Sequence, residues 1–243
     1  DGGINLTRTE VGQPLGAFYG YRIDRVVSTT AEADELQEFQ PGVLAGDYLY
    51  KDLNGDGVIN EDDQETLGSP IPVWQYGLNL NMAYKGFDLM LSLQGVADVE
   101  IANALNYWMT GTTRPFNAKA ELVNRWRQEG DVAKYPRAGQ NQTGSGNLRP
   151  SDFYIEDGSY MRLRNLTLGY SLPVSLLEGT NAISRVRFYV TAQNLFTITN
   201  YSGYDPEVSA EGEMDEDYLF SRGIDRDQYP IPRMYMFGVQ VDF

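Results

Sequence analysis

The sequence predicts an all-β fold of antiparallel strands joined by connections of very unequal length. Five segments alternate apolar and polar residues with a period of two, the pattern of strands whose two faces meet different surroundings. Gly and Pro turns separate these segments, and no apolar run approaches the roughly 20 residues that a membrane-spanning helix needs. The predicted strands are 73–84, 87–97, 159–172, 184–196 and 233–243.

The first two strands form the clearest hairpin. The even-numbered residues from Trp74 to Tyr84 are mostly large and apolar, whereas the residues between them are Gln75, Gly77, Asn79, Asn81 and Ala83. After Lys85-Gly86 the odd-numbered residues Phe87, Leu89, Leu91 and Leu93 share a face. Strict alternation on both sides of a two-residue turn containing Gly predicts a tight β-hairpin.

The other three strands follow the same rule with one interruption. In 159–172, Leu166, Leu168 and Tyr170 share a face, but Met161 and Leu163 have the other parity. This slip near Arg164-Asn165 predicts a β-bulge. In 184–196 and 233–243 the alternation is unbroken, and the last apolar position is Phe243.

Alternating strands fit either a sandwich with one wet face or the wall of a membrane barrel. The second faces are rich in Gly, Asn, Gln, Ser and Thr and poor in Lys and Glu, which suits a wet lumen. Aromatic residues lie near the strand ends, as in interfacial girdles. The connections alternate between short (85–86 and 173–183) and long (98–157 and 198–232). We therefore expect periplasmic turns, extracellular loops and a periplasmic C-terminus, with further strands needed to close a barrel.

Composition excludes several function classes. The formal charge of -15 argues against nucleic acid as a partner. The chain has no Cys and no His, so thiolate metal sites and catalysis through a Ser-His or Cys-His pair are excluded. No spacing singles out a carboxylate pair of the glycosidase type. We therefore predict no enzymatic activity and no catalytic residue.

Helical content is expected to be small. The acidic stretch 30–42 predicts one short helix, and "NAKAELVNRWRQEG" (117–130) predicts another, with Trp126 and Leu122 on its core side. The acidic run from Glu207 to Asp217 is interpreted as the solvated face of a loop.

The segment "DLNGDGVINEDD" has the oxygen-ligand spacing of a calcium loop. Gly57 occupies the sixth position, where the chain must turn sharply, and Asp63 stands at the twelfth, where Glu is usual. A shorter carboxylate there predicts weak binding, and turn formation alone is the alternative explanation. We predict a structural calcium site within 52–63 whose ligands are Asp52, Asn54, Asp56, Val58 (through its carbonyl), Asn60 and Asp63.

The aromatic cluster "NALNYWMTG" lies in the long connection 98–157. Tyr107 and Trp108 are candidate substrate-binding residues, because aromatic rings stack on sugars; packing within the loop is the alternative. A soluble, secreted β domain that binds calcium and carbohydrate therefore competes with the membrane-barrel interpretation.

Several phrases in fixed order resemble a known family. The phrases "GDYLYKDLNGDGVINEDDQETLGSPIPVWQYGLNLNMAYKGFDLMLSLQG", "FYIEDGSYMRLRNLTLGYSLP", "RFYVTAQNLFTITNYSGYDPE" and "YPIPRMYMFGVQVDF" resemble the C-terminal part of SusC/RagA-type TonB-dependent outer-membrane transporters of Bacteroidetes. So does "TRTEVGQPLGAFYGYRID" near the start. The resemblance covers essentially the whole chain, but only about the last quarter of such a transporter.

This resemblance implies a fold, a location and partners. The chain would be the C-terminal portion of a 22-stranded barrel in the bacterial outer membrane, a size known for plugged outer-membrane transporters. Residues 1–72 would form an extracellular loop region, and 73–243 would carry the five strands and their extracellular loops. The transporter would import oligosaccharide or peptide fragments with a SusD-like surface lipoprotein. The upstream barrel, the plug and the N-terminal part that TonB contacts have no counterpart here.

Overall fold

A computed structural model of the chain describes residues 6–111, 117–139, 146–178, 182–208 and 221–243. The chain divides into two compact units: unit 1 (1–71, 100–157 and 207–228) and unit 2 (72–99, 158–206 and 229–243). The long connection 100–157 thus folds with the N-terminal region.

The strands are β1 (Thr7–Arg8), β2 (Ala17–Gly20), β3 (Ile23–Val26), β4 (Tyr48–Tyr50), β5 (Glu65–Gly68), β6 (Trp74–Tyr84), β7 (Phe87–Ala97), β8 (Glu100–Asn103), β9 (Ile155–Asp157), β10 (Tyr160–Ser171), β11 (Arg185–Gln193), β12 (Thr197–Thr199), β13 (Ile224–Asp225) and β14 (Met234–Asp242).

Unit 1 is built from short strands in three small sheets. These have the strand orders β1-β2-β5, β3-β4 and β13-β8-β9, and only the β13–β8 pair is parallel among the strands described. Its interior is an apolar core in two clusters. One consists of Tyr21, Val26, Tyr48, Tyr50 and Ile59, and the other of Val27, Ala33, Val43 and Leu49.

Two α-helices, α1 (Thr30–Glu35) and α2 (Ala104–Thr110), belong to unit 1. Thr29 caps α1, because its side chain accepts a hydrogen bond from the Glu32 N–H. Single 3₁₀ turns cover Glu61–Asp63, Ala120–Asn124, Asp152–Tyr154 and Val174–Leu176. No helix among the described residues is both long enough and apolar enough to cross a membrane.

The helix predicted over 117–130 is wrong beyond one short turn. After Ala120–Asn124 the backbone becomes extended at Arg125, which forms a parallel bridge with Tyr135. The Trp126 indole packs against the core and donates a hydrogen bond to the Ser28 carbonyl at 3.0 Å. Tertiary contacts therefore override the helical pattern of this segment, although Leu122 and Trp126 do face the core as predicted.

Unit 2 is one antiparallel sheet with the strand order β14-β11-β10-β7-β6, and β12 adds a second short pairing to β10. The five long strands lie within three residues of their predicted bounds. Lys85 and Gly86 connect β6 to β7 with positive φ values of 47° and 85°, the conformation of a two-residue hairpin turn whose twist matches the strands.

The predicted bulge lies at Arg164. The pairing of β10 with β7 shifts between Leu163 and Asn165, so Arg164 is the extra residue. At the same level the next strand also breaks. Asn194 has a positive φ of 51°, and its N–H donates to the Arg164 carbonyl at 3.0 Å. The bulge thus keeps the apolar residues of β10 on one face while both strands bend.

Candidate functional site

The calcium-type loop is a series of tight turns closed by its own side chains. The two carboxylate oxygens of Asp52 accept hydrogen bonds from the N–H groups of Gly55 (2.6 Å) and Gly57 (2.9 Å). Asp56 accepts one from the Val58 N–H at 2.8 Å. Both glycines have positive φ values, 77° and 85°, which explains Gly at these positions. The chain therefore turns sharply at Gly57, the sixth position of the predicted ligand pattern, while the binding of a cation stays a prediction.

Amide nitrogens lie against the oxygen atoms that would bind a cation. The Asn54 side-chain amide donates to Asp56 Oδ2 at 3.0 Å. The Asn60 amide donates to the same oxygen at 3.4 Å and to the Val58 carbonyl at 3.3 Å. Within the described ranges, no three His, Cys, Asp or Glu side chains are grouped to hold a metal ion. A cation here requires both amides to rotate, so that their oxygens replace their nitrogens.

Asp63, the predicted twelfth-position ligand, ties the two ends of the loop together. It is fully buried, and its oxygens accept hydrogen bonds from the N–H groups of Leu53 (2.9 Å) and Asn60 (2.8 Å). Each carboxylate oxygen retains a second lone pair, so these bonds leave room for a cation. The carboxylate therefore closes the loop in any case. Its role as a ligand stays a prediction.

The loop favours the ionised form of Asp56 and is anchored to the core. The Val58 N–H, followed by the Asn54 amide, holds the pKa of Asp56 below its ordinary value. The N–H of the buried Ile59 donates to the Phe39 carbonyl at 2.7 Å. Oxygen donors alone, with a negative charge kept at neutral pH, suit a hard cation such as calcium.

The two predicted substrate-binding aromatics lie on α2 with different exposures. Tyr107 is partly buried, and its ring packs edge-on against Tyr154, with centroids 5.4 Å apart. Trp108 meets Tyr107 edge-on at 5.8 Å and is 45% exposed. Trp108 is therefore the more exposed of the two rings, and Tyr107 contacts both Trp108 and Tyr154.

The sheet of unit 2 carries one continuous apolar face. The register places Leu78 beside Leu93, Leu168 beside Leu89 and Val190, and Phe237 beside Val190. We call this surface the apolar face: Trp74, Tyr76, Leu78, Leu80, Met82, Tyr84, Phe87, Leu89, Leu91, Leu93, Leu166, Leu168, Tyr170, Val186, Phe188, Val190, Tyr235, Phe237, Val239 and Val241. Many of these side chains are exposed, with Phe237 at 71% and Trp74 at 66%. An exposed apolar patch of this extent marks contact with a membrane or a protein.

The opposite face, named the polar face, carries hydroxyl, amide and Gly residues. Ser92 donates to the Asn79 side chain at 2.7 Å, and the hydroxyls of Thr167 and Thr191 are 2.9 Å apart in a buried pair. None of the five long strands contains Lys or Glu. The register also places a few apolar residues, such as Ala83 and Met90, on this face. The polar face consists of Gln75, Gly77, Asn79, Asn81, Ala83, Asp88, Met90, Ser92, Gln94, Asn165, Thr167, Gly169, Ser171, Arg185, Arg187, Tyr189, Thr191, Gln193, Met234, Met236, Gly238, Gln240 and Asp242.

An ion pair crosses the polar face, and the alternation pattern does not predict it. Arg187 on β11 donates two hydrogen bonds to Asp88 on β7, at 2.9 and 2.6 Å, across the intervening strand β10. Gly169 lies between them, and a Cβ atom there would collide with both side chains. A Gly between Asp and Arg on neighbouring strands is the sequence signal for such a bridge, but it is readable only once the pairing is known.

Comparison with known proteins gives a consistent result. No protein-family model matches the chain. TonB-dependent receptor P3 of Formosa agariphila is 33% identical over 96% of this chain, and TonB-dependent receptor SusC of Bacteroides thetaiotaomicron is 28% identical over 80% of it. Among solved structures, the RagAB peptide importer in its open-open state is similar with a TM-score of 0.74 at 25% identity, over 98% of this chain.

The chain spans less than a quarter of each of these relatives: 22% of receptor P3, 17% of SusC and 23% of the RagAB chain. These relatives are receptors and importers rather than enzymes, in agreement with the prediction. The antiparallel all-β fold class predicted from the sequence is confirmed. The sequence similarity and the shared fold confirm the predicted resemblance, and the chain corresponds to a segment of the SusC/RagA-type TonB-dependent receptors.

Proposed function

We propose that this chain forms part of the wall and the external loops of a TonB-dependent transporter in the bacterial outer membrane. The observation that carries the proposal is the uninterrupted apolar face opposite a polar face without Lys or Glu. A barrel wall needs this division, because lipid covers one side of each strand and water the other. A soluble calcium- and carbohydrate-binding domain is the weaker candidate, since it leaves the apolar face in water.

The orientation follows from the connections. The turn at Lys85-Gly86 and the connection 173–183 belong on the periplasmic side, as does Phe243. The connections 98–157 and 198–232, together with residues 1–72, belong outside the cell. This arrangement puts unit 1, with its own core, in the extracellular medium, where a water-soluble unit is stable.

The cargo is proposed to be an oligosaccharide or a peptide, delivered with a SusD-like lipoprotein and imported with energy from TonB. The similarity to the RagAB peptide importer supports a peptide cargo, and the similarity to the TonB-dependent receptor SusC supports the energy source. The wall is proposed to belong to a 22-stranded barrel with a plug. Trp108 is proposed to contact the cargo, because its ring is exposed at the end of an aromatic cluster.

Uptake by cells tests transport and the role of Trp108 together. Cells that depend on the receptor should lose growth on its cargo when the receptor is deleted. Trp108→Ala should weaken growth on oligosaccharide, since a stacking ring contributes about 0.5–1.5 kcal/mol beyond its buried area. Val123→Ala, which shortens another exposed side chain of unit 1, serves as the control. Unchanged uptake after deletion contradicts the transport proposal.

Calcium is proposed as a structural clip on the loop 52–63, with Asp52, Asn54, Asp56, Val58, Asn60 and Asp63 as ligands. Chelation with EDTA should speed hydrogen exchange of residues 45–70 in the receptor. Asp56→Asn should abolish this response, because it removes a carboxylate at the centre of the loop. Asp62→Asn changes an exposed neighbour outside the ligand positions and should leave the response intact. Identical exchange with and without EDTA refutes the clip.

A further inference from the structure

Strand β3 of unit 1 has one unpaired edge. It pairs with β4 on one side, and no other described strand joins this two-stranded sheet. Two contacts mark the ends of the free edge. The Ile23 N–H donates to Asp152 Oδ1 at 3.0 Å, and the Ser28 carbonyl accepts from the Gly130 N–H at 2.9 Å. Between these points the edge has no strand partner among the described residues, a state that proteins usually cover or block.

A cavity of about 540 Å³ lies along this same stretch. Four consecutive residues of β3, Ile23–Val26, line it. Successive side chains point to opposite faces of a strand, so a cavity that touches all four lies at the edge. Its volume falls within the range of about 300–1,000 Å³ for ligand pockets. The rest of its lining comes from Ser28, Tyr48, Val132, Ala133, Lys134, Asp152 and Phe153.

Most of the lining surface is apolar, and the charged lining residues are Asp24, Arg25, Lys134 and Asp152. Val132 is completely exposed beside the cavity, while Ala133 is partly buried in its wall. The Lys134 ammonium lies 5.7 Å from the Tyr135 ring. It acts electrostatically on the Glu121 carboxylate, but none of the salt bridges found in the described part of the chain includes it. Arg25, by contrast, is already paired with Asp24 and Glu32. A negative charge on a ligand is therefore complementary to Lys134.

We propose that β3 binds an extended peptide segment of about three to five residues as an added strand along the edge between Ile23 and Ser28. An apolar side chain of the peptide fills the cavity, and a carboxylate pairs with Lys134. An oligosaccharide fits less well. Sugars stack on open ring faces, whereas Tyr48 is 3% exposed and Phe153 is packed against Tyr135 and Tyr154. The site rests on unit 1 alone and is independent of the transport proposal.

The test is calorimetric titration of the receptor in detergent with the peptide acetyl-Gly-Val-Thr-Val-Asp. Replacing its Thr by Pro removes a backbone N–H and should weaken binding about tenfold, the value of one or two hydrogen bonds. Lys134→Met should weaken it about two- to fivefold. Lys85→Met is the matched control, because the Lys85 ammonium also lies near a tyrosine ring, 5.2 Å from Tyr84.

A second pair of variants tests the cavity itself. Ala133→Phe fills the cavity and should abolish peptide binding. Ala133→Ser leaves the cavity open and should retain peptide binding. Equal binding of the Pro peptide overturns strand addition, and equal effects of the two lysine variants overturn the role of Lys134. Displacement of the peptide by maltopentaose makes the site a sugar site. Failure of the unmodified receptor to bind the peptide also overturns the proposal.

Discussion

Unit 1 and unit 2 handle their apolar side chains in opposite ways. Both core clusters lie in unit 1, where Tyr50 is 1% exposed and Val27 fully buried. In unit 2 many large apolar residues of the long strands are exposed, as Phe237 is at 71%, and only a few, such as Leu163, are buried. The hydrophobic effect explains the first arrangement in water, but the second requires another solvent or a covering partner. The difference indicates that unit 1 is folded for water and that the apolar face of unit 2 is folded for apolar surroundings.

Charged groups, unlike apolar ones, are handled alike in the two units. Unit 1 buries charge inside its loops: Asp47 is fully buried and accepts hydrogen bonds from Arg137 and Asn147 at 2.7 and 2.8 Å. Unit 2 has a buried pair, Arg162–Asp205, and a second, partly exposed pair, Asp88–Arg187, on the polar face. Buried charges need such partners to be tolerated. Both units therefore pair the charges that they bury, and the charges of the long strands lie on the polar face rather than on the apolar face.

The largest expected effect is truncation of the unit 1 core. Tyr50→Ala should lower the free energy of unfolding of unit 1 by about 3–5 kcal/mol, because it leaves a cavity at a fully buried ring. Hydrogen exchange of the β4 amides gives this value. Phe237→Ala in unit 2 should leave exchange in unit 1 unchanged. Equal sensitivity to both substitutions would remove the contrast between the units.

The next effect concerns the apolar face. Phe237→Arg should reduce the stability of the receptor in bilayers by about 2–4 kcal/mol, the cost of a cation in the lipid near the midplane. Met236→Arg, one residue earlier and on the polar face, should cost much less. The heat-modifiable gel mobility of each variant receptor, folded into vesicles, measures the two losses of stability. A larger loss for Met236→Arg would reverse the assignment of the two faces.

A smaller effect is expected inside the polar face. Thr191→Val leaves the buried Thr167 hydroxyl without its partner and should cost about 1–3 kcal/mol. Thr191→Ser keeps the hydroxyl and should cost less. The same folding assay in vesicles compares the two variants. If Val and Ser behave alike, the hydroxyl pair does not stabilise the wall.

The smallest expected effect is the pH dependence that Tyr135 gives to the stability of unit 1. Burial, followed by the hydrogen bond to Glu121 (2.6 Å), raises the pKa of Tyr135 to about 12. The neutral phenol is favoured in the folded state, so its contribution is complete below about pH 10, the ordinary tyrosine pKa, and is lost as pH rises toward 12. In an absorbance titration, the Tyr135→Phe variant should lack this late transition, which the parent protein should show. A Tyr135 transition near pH 10 would contradict the assigned burial.

The strands of unit 2 were predictable because their signal is local. Alternation fixes which residues share a face, and even the bulge at Arg164 follows from a change of parity. The hairpin turn follows from Lys85-Gly86 for the same reason.

Unit 1 was not predictable in this way, since its pairings join distant segments. Ile224 of β13 pairs with Ala102 of β8, and no local pattern encodes that contact. Likewise Arg125 leaves a helical pattern to bridge Tyr135. In the calcium-type loop, the sequence predicts the turns of the backbone. It does not show that both carboxylate oxygens of Asp63 accept hydrogen bonds from backbone N–H groups, because these contacts depend on the surrounding fold.

The central claim is that the apolar face of unit 2 contacts lipid. The chain contains no Cys, so single Cys substitutions along β14 from Tyr235 to Val241 can be labelled one at a time. In receptor-containing vesicles, a water-soluble maleimide should label positions 236, 238 and 240 readily and positions 235, 237, 239 and 241 poorly. Uniform labelling, or the opposite alternation, would contradict the placement of this sheet in a membrane wall.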